Sequence, residues 1–161
     1  MRDGVLTLKK MAAEVKRLRR SGKTIAFTNG CFDLLHVGHL DLLERIKAKA
    51  DRLIIGINSD ASVRRLKGRG RPVLPVRERA RMLAALKPVD YVVVFSETTP
   101  ERVIRTLEPD LLVKGGDWPV DRIAGGPFVR ARGGRVFSLR LVPGRSTTGL
   151  LRKIRNSKFL R

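Results

Sequence analysis

The chain has 161 residues, 42% of them hydrophobic and 31% charged, a balance that supports a packed core and excludes wholesale disorder. Its 35 Lys and Arg stand against 15 Asp and Glu, a net charge of +20, which points to polyanions: nucleic acid, or substrates carrying several phosphates. No apolar run approaches the ~20 residues of a membrane span, and residues 1–10 lack a secretory signal's apolar stretch.

The single cysteine, Cys31, excludes an internal disulfide, and no Cys/His cluster has zinc-ligand spacing. A cytoplasmic protein without membrane association is expected. Arginines outnumber lysines and occur in nearly every segment, which reads as a general surface property more than a dedicated nucleic-acid arm. No repeat or linker interrupts residues 1–161, so one domain is expected.

Leu8, Met11, Ala12, Val15 and Leu18 recur at helical spacing, predicting a helix within residues 1–22 that ends near Ser21 and Gly22. From residue 23 to 156 short β-branched or aromatic runs alternate with segments of helical period. The strands are expected at 24–28, 52–57, 91–95, 111–113 and 135–141. The helices are expected at 37–50, 61–66, 76–86, 100–107, 121–132 and 146–156. Such alternation predicts an α/β, Rossmann-like doubly wound sheet of about five parallel strands with helices on both faces. In such sheets ligands sit beyond the carboxyl ends of the strands.

Two phosphate motifs are absent. Gly22-Lys23-Thr24 resembles the end of a Walker loop, but the position of its first glycine is Arg17, and the tripeptide precedes a strand. No GxGxxG follows a strand either. The informative segment is residues 29–39, NGCFDLLHVGH, which holds both histidines of the chain, His36 and His39, three apart at a predicted helix start. That spacing puts them on one helix face, where free amides and the macrodipole favour an anion. Gly38 between them leaves room for a bulky group. Two imidazoles and free amides make a cradle for a phosphate that gains charge during displacement.

Further along, Lys67 and Arg71 flank a loop containing Gly68 and Gly70, suited to closing over a polyphosphate. Gly115 and Gly116 follow a strand and permit close approach of a flat base beside Asp117 and Trp118. Ser146, Thr147 and Thr148 offer hydroxyls at a helix start. Asp33 is a candidate for orienting a substrate or a metal-bound water, with a structural cap as the alternative. Cys31 reads as a small buried residue.

GCFDLLHVGH resembles the GxFDxxHxGH signature of the nucleotidyltransferase superfamily, and later elements follow in order: NSD at 58–60, LKG at 66–68, RPV at 71–73, Arg79 in an RxxxLxxL run, KGGDW at 114–118 and GRSTT at 144–148. Together these look most like the heptose 1-phosphate adenylyltransferases. The resemblance implies a single nucleotidyltransferase domain that joins ATP and a heptose 1-phosphate into ADP-heptose and pyrophosphate, for bacterial cell-surface glycans. It implies His36, His39 and Lys67 as catalytic residues. It implies Gly30, Phe32, Arg79, Lys114, Gly116, Asp117, Trp118, Ser146, Thr147 and Thr148 at the nucleotide, and Asp33 and Arg71 at the sugar phosphate.

Mg²⁺ is expected with ATP, with no metal held by the protein alone. So are a homodimer and a free-standing form whose pathway kinase and phosphatase lie on separate chains; no dedicated nucleic-acid partner is expected. Where glycerol-phosphate cytidylyltransferases carry an Arg, this chain has Leu141, which favours ATP over CTP. A cytidylyltransferase acting on a polyol phosphate, and a nucleic-acid-binding module, stay as alternatives.

Overall fold

The computed structural model describes residues 4–116, 118–140, 144 and 147–157. The chain runs β1 (Val5–Leu6), α1 (Leu8–Arg20), β2 (Ile25–Gly30), α2 (Val37–Lys47), β3 (Arg52–Asn58), α3 (Asp60–Lys67) and α4 (Val76–Ala85). There follow β4 (Tyr91–Phe95), α5 (Glu101–Leu107), β5 (Leu111–Gly115), a 3-10 turn at Val120–Arg122, α6 (Gly126–Ala131), β6 (Arg135–Leu139) and α7 (Thr147–Arg155). The strands form one parallel sheet in the order β1-β4-β3-β2-β5-β6. The expected α/β, Rossmann-like architecture is present, with six strands in place of about five.

The extra strand is β1, which lies inside the segment expected to be helix alone. Its two residues pair with Val92 and Val93 of β4, too short a run for any alternation to show. The helix expected over 121–132 is broken. Gly125, at φ +79°, turns the chain between the 3-10 turn and α6, and a Cβ there would lie 2.8 Å from the Ile104 side chain. The remaining elements begin and end within three residues of their predicted positions.

The apolar strands divide their side chains between two cores, as period-2 alternation requires of a sheet covered on both faces. Ile25 and Phe27 of β2 and Ile54 of β3 meet α1, α5 and α6 through Met11, Val15, Val103, Ile104 and Val129. Ala26 of β2 and Leu53, Ile55 and Ile57 of β3 meet α2 and α4 through Leu42, Leu43, Ile46, Ala80 and Leu83. At Gly56 the central sheet has no room for a side chain, since a Cβ would sit 2.6 Å from Cζ of Phe27. Gly56→Ala is therefore expected to destabilise the fold by about 1–3 kcal/mol, the usual cost of overpacking a core, measured by urea unfolding.

Carboxylates stitch the amino ends of the central strands. Asp110 accepts from the Ile25 amide at 2.8 Å, and Asp90 from the Leu53 amide at 2.8 Å and Lys47 Nζ at 2.6 Å. Asp51 accepts from the Thr24 amide and hydroxyl, which hold its carboxyl down at about 2. The opposite, carboxyl ends of the strands carry the cavity described next. Among the described residues no helix is long and apolar enough to cross a membrane.

Candidate active site

A cavity of about 580 Å³ opens over the carboxyl ends of β2 and β3, floored by Asn29, Gly30 and Asn58. Immediately after Gly30 the chain leaves the sheet through Phe32, whose φ of +44° is a left-handed conformation costly for an aromatic residue. That turn buries the Phe32 ring against His39, centroids 5.2 Å apart. It also sends the Asp33 side chain inward, where it is fully buried.

His36 is the residue preceding α2, and His39 lies in that helix's first turn. Their rings stack, centroids 3.8 Å apart and planes 25° from parallel, so the i,i+3 spacing does bring both imidazoles to one face of the cavity. Burial, aided by the neighbouring His36, pushes the His39 pKa down to about 4. Its buried Nδ1 has no hydrogen-bond partner among the described residues. At neutral pH His39 is thus an uncharged imidazole.

The sign of its pH effect follows. Between its ordinary value of 6.5 and about 4, the unfolded chain takes up a proton that the folded chain refuses, so stability falls as pH drops through that window. Melting temperatures measured across it should decline more steeply for the wild type than for His39→Asn; equal slopes would refute the assignment.

The start of α7 meets the start of α2. Thr147 Oγ1 donates to the Leu34 carbonyl at 3.2 Å, and Thr147 and Thr148 both line the cavity. Two helix N-termini, each with first-turn amides unpaired within its own helix, thereby face one space. Ser146 and Asp117, both expected at the nucleotide, lie outside the described residues, as do Leu141 and Arg145.

Lys67, the last residue of α3, and Arg71, in the loop that follows, line the cavity. Asp33 holds that loop. Its Oδ1 accepts from the amides of Val73 at 2.8 Å and Leu74 at 3.2 Å, and its Oδ2 from Arg71 Nε at 2.5 Å. The Asp33 carboxylate, expected at the sugar phosphate or as a structural cap, accepts three hydrogen bonds from this loop, one of them from Arg71.

Arg79, expected at the nucleotide, is 0% exposed and does not line the cavity. Its guanidinium donates to the carbonyls of Leu74, Cys31 and Asn58 and to Asp60 Oδ1 at 2.6 Å. It ties the ends of β2 and β3 to the start of α3 and to the loop before α4. A buried arginine needs such a full set of acceptors, and the sequence alone does not reveal that they exist.

On the other side of the cavity, Lys114 near the end of β5 is partly buried, 3.5 Å from the Asn29 carbonyl and 5.8 Å from the Trp118 ring centroid. Burial pushes its pKa below the ordinary lysine value, and Lys67 adds repulsion. Trp118 is half-exposed and packs near Gly116, which has a φ of +106°. Burial raises the Cys31 thiol pKa against the pull of nearby cations, so it stays protonated as a small wall residue.

The sequence reading missed part of the wall: Thr98, Thr99, Pro100, Arg122, Ile123 and Ala124. The only signal for Thr98 and Thr99 was their place just after a strand's carboxyl end.

Comparison with known proteins gives a consistent picture. The cytidylyltransferase-like family matches residues 27–136. The chain is 51% identical over 153 residues to the bifunctional protein HldE of Ectopseudomonas mendocina, covering 95% of this chain and 32% of that protein. It is 52% identical over 155 residues to the bifunctional protein HldE of Geotalea uraniireducens, covering 96% of this chain and 32% of that protein. The chain therefore spans about a third of the length of the curated relatives it matches. Among solved structures it resembles the lipopolysaccharide core biosynthesis protein from Thermoplasma volcanium, with a TM-score of 0.62 and 26% identity, covering 75% of this chain and 98% of that one. The sheet order, the paired histidines and a family match across most of the chain agree: this chain belongs to the cytidylyltransferase-like family.

Proposed function

We propose that the protein transfers AMP from ATP to a heptose 1-phosphate, giving the ADP-sugar and pyrophosphate. The observation that carries this reading is the meeting of stacked His36 and His39 with the start of α7, in one cavity that also presents Lys67, Arg71 and Lys114. An oxygen of the sugar phosphate attacks the α-phosphorus in line, the new P–O bond forms, and the bond to pyrophosphate breaks. The nucleophile is already an anion, so catalysis rests on positioning and charge stabilisation, not on a strong base.

His36 and His39 donate to oxygens of the α-phosphate as charge develops there. The starts of α2 and α7 receive the departing phosphates, and Lys67 and Arg71 neutralise them. Trp118 and Gly116 offer the flat wall for the base. Mg²⁺ bound with the nucleotide would supply further charge neutralisation on its phosphates, beside Lys67 and Arg71.

The name of the structural neighbour, a lipopolysaccharide core biosynthesis protein, supports a glycan setting. The reading carries with it a cytoplasmic enzyme, a homodimer and a sugar phosphate supplied by kinase and phosphatase reactions; the mass of the purified protein in solution tests the dimer. Purified protein should release pyrophosphate from ATP and Mg²⁺ with heptose 1-phosphate, and not from CTP with glycerol 3-phosphate. The reverse preference would overturn the proposal in favour of a polyol-phosphate cytidylyltransferase.

A further inference from the structure

The histidines, the cationic loop and the Trp118 side of the cavity leave one wall without a role. It is built by two loops, Thr98 to Pro100 after β4 and Arg122 to Ala124 before α6. Strands β4 and β5 are separated in the sheet by β3 and β2, so these loops meet across the carboxyl ends of the two central strands. They lie on the α5 and α6 side, whereas the histidines lie on α2.

The wall is held rigidly from behind. Ile123 is buried in the core beside Ile104, and the Pro100 carbonyl accepts from the Ile104 amide at 2.9 Å. Its polar groups, by contrast, are uncommitted. The hydroxyls of Thr98 and Thr99 and the guanidinium of Arg122 make no hydrogen bond or ion pair among the described residues, while neighbouring Arg102 and Arg105 are paired with Glu97 and Glu101.

Resting on the adenylyl-transfer reading, we propose that Thr98, Thr99 and Arg122 recognise the hydroxyl groups of the acceptor sugar and set specificity for it. Hydroxyls that both donate and accept, a forked cation, and the small apolar surfaces of Pro100 and Ala124 match a polyol ring, which presents O–H groups at its edge and C–H groups on its faces. The wall itself has no aromatic plane for a base; Trp118, earlier in the β5–α6 connection and beside Lys114, supplies one. ATP and sugar thus take different parts of the cavity lining, with the α-phosphate at the histidines.

The test uses the full chain carrying Thr98→Val with Thr99→Val, which keep side-chain volume, and separately Arg122→Gln. Each hydrogen bond lost to the sugar should raise its KM about 10-fold, with the KM for ATP unchanged. A deoxy analogue of the acceptor that penalises the wild type should penalise the threonine variant less, which a merely structural role would not produce. An active wild type whose variants raise the KM for ATP alone, or change neither KM, overturns the assignment while leaving adenylyl transfer intact. A wild type inert toward every sugar 1-phosphate refutes the parent reading, and this assignment with it.

Discussion

Replacing His36 with alanine is expected to lower turnover by about two to three orders of magnitude, the loss typical of a donor removed from a developing oxyanion. The KM for ATP should change far less, because the triphosphate retains the starts of α2 and α7 and the cations Lys67 and Arg71. Single-turnover rates with saturating ATP separate the two effects. The stacked geometry adds a second expectation. His39 lies 3.8 Å from His36, ring centre to ring centre, so the two act on one phosphate and their losses should not add. A double variant much slower than either single variant would show that they serve separate groups. Near-normal turnover in His36→Ala would remove the chemical basis of the proposed function.

The second large effect falls on stability. Arg79→Met should destabilise the fold by about 3–5 kcal/mol, as when one member of a buried ion pair is removed. The variant leaves Asp60 without its cation and strips three carbonyls of a donor, those of Leu74, Cys31 and Asn58. Urea unfolding measures it. Arg79→Lys should recover only part of the loss, because an ammonium cannot reach four acceptors spread over three segments. If Arg79 instead contacted the nucleotide, stability would hold and the KM for ATP would rise. Its 0% exposure argues for the first outcome.

These two residues show how far the chain could be read in advance. The shared face of His36 and His39 was legible because it depends on a local rule: three residues apart at a helix start means one face. Arg79 stood equally clearly in its motif, yet its role depends on carbonyls contributed by residues 31, 58 and 74, which no local pattern brings together. Asp33 follows the same logic. Its position in the turn was plain, but its partners at 71, 73 and 74 come from a loop on the far side of β3. β1 escaped notice because two residues cannot express a period.

By itself the sequence determined the alternation of strands and helices, the parallel sheet, the helix starts that carry His36, His39 and Thr147, and the family resemblance. All of these rest on short-range periodicity, capping and spacing. Only the tertiary structure decided which charged groups face the cavity and which are consumed inside the protein. It showed Arg79 and Asp33 bound to neighbouring groups of the chain, split the helix expected before β6 at Gly125, and brought Thr98 and Arg122 into the lining of one cavity. Those outcomes depend on which acceptors and donors the fold brings within hydrogen-bond reach, a property of packed distance that spacing along the chain does not encode.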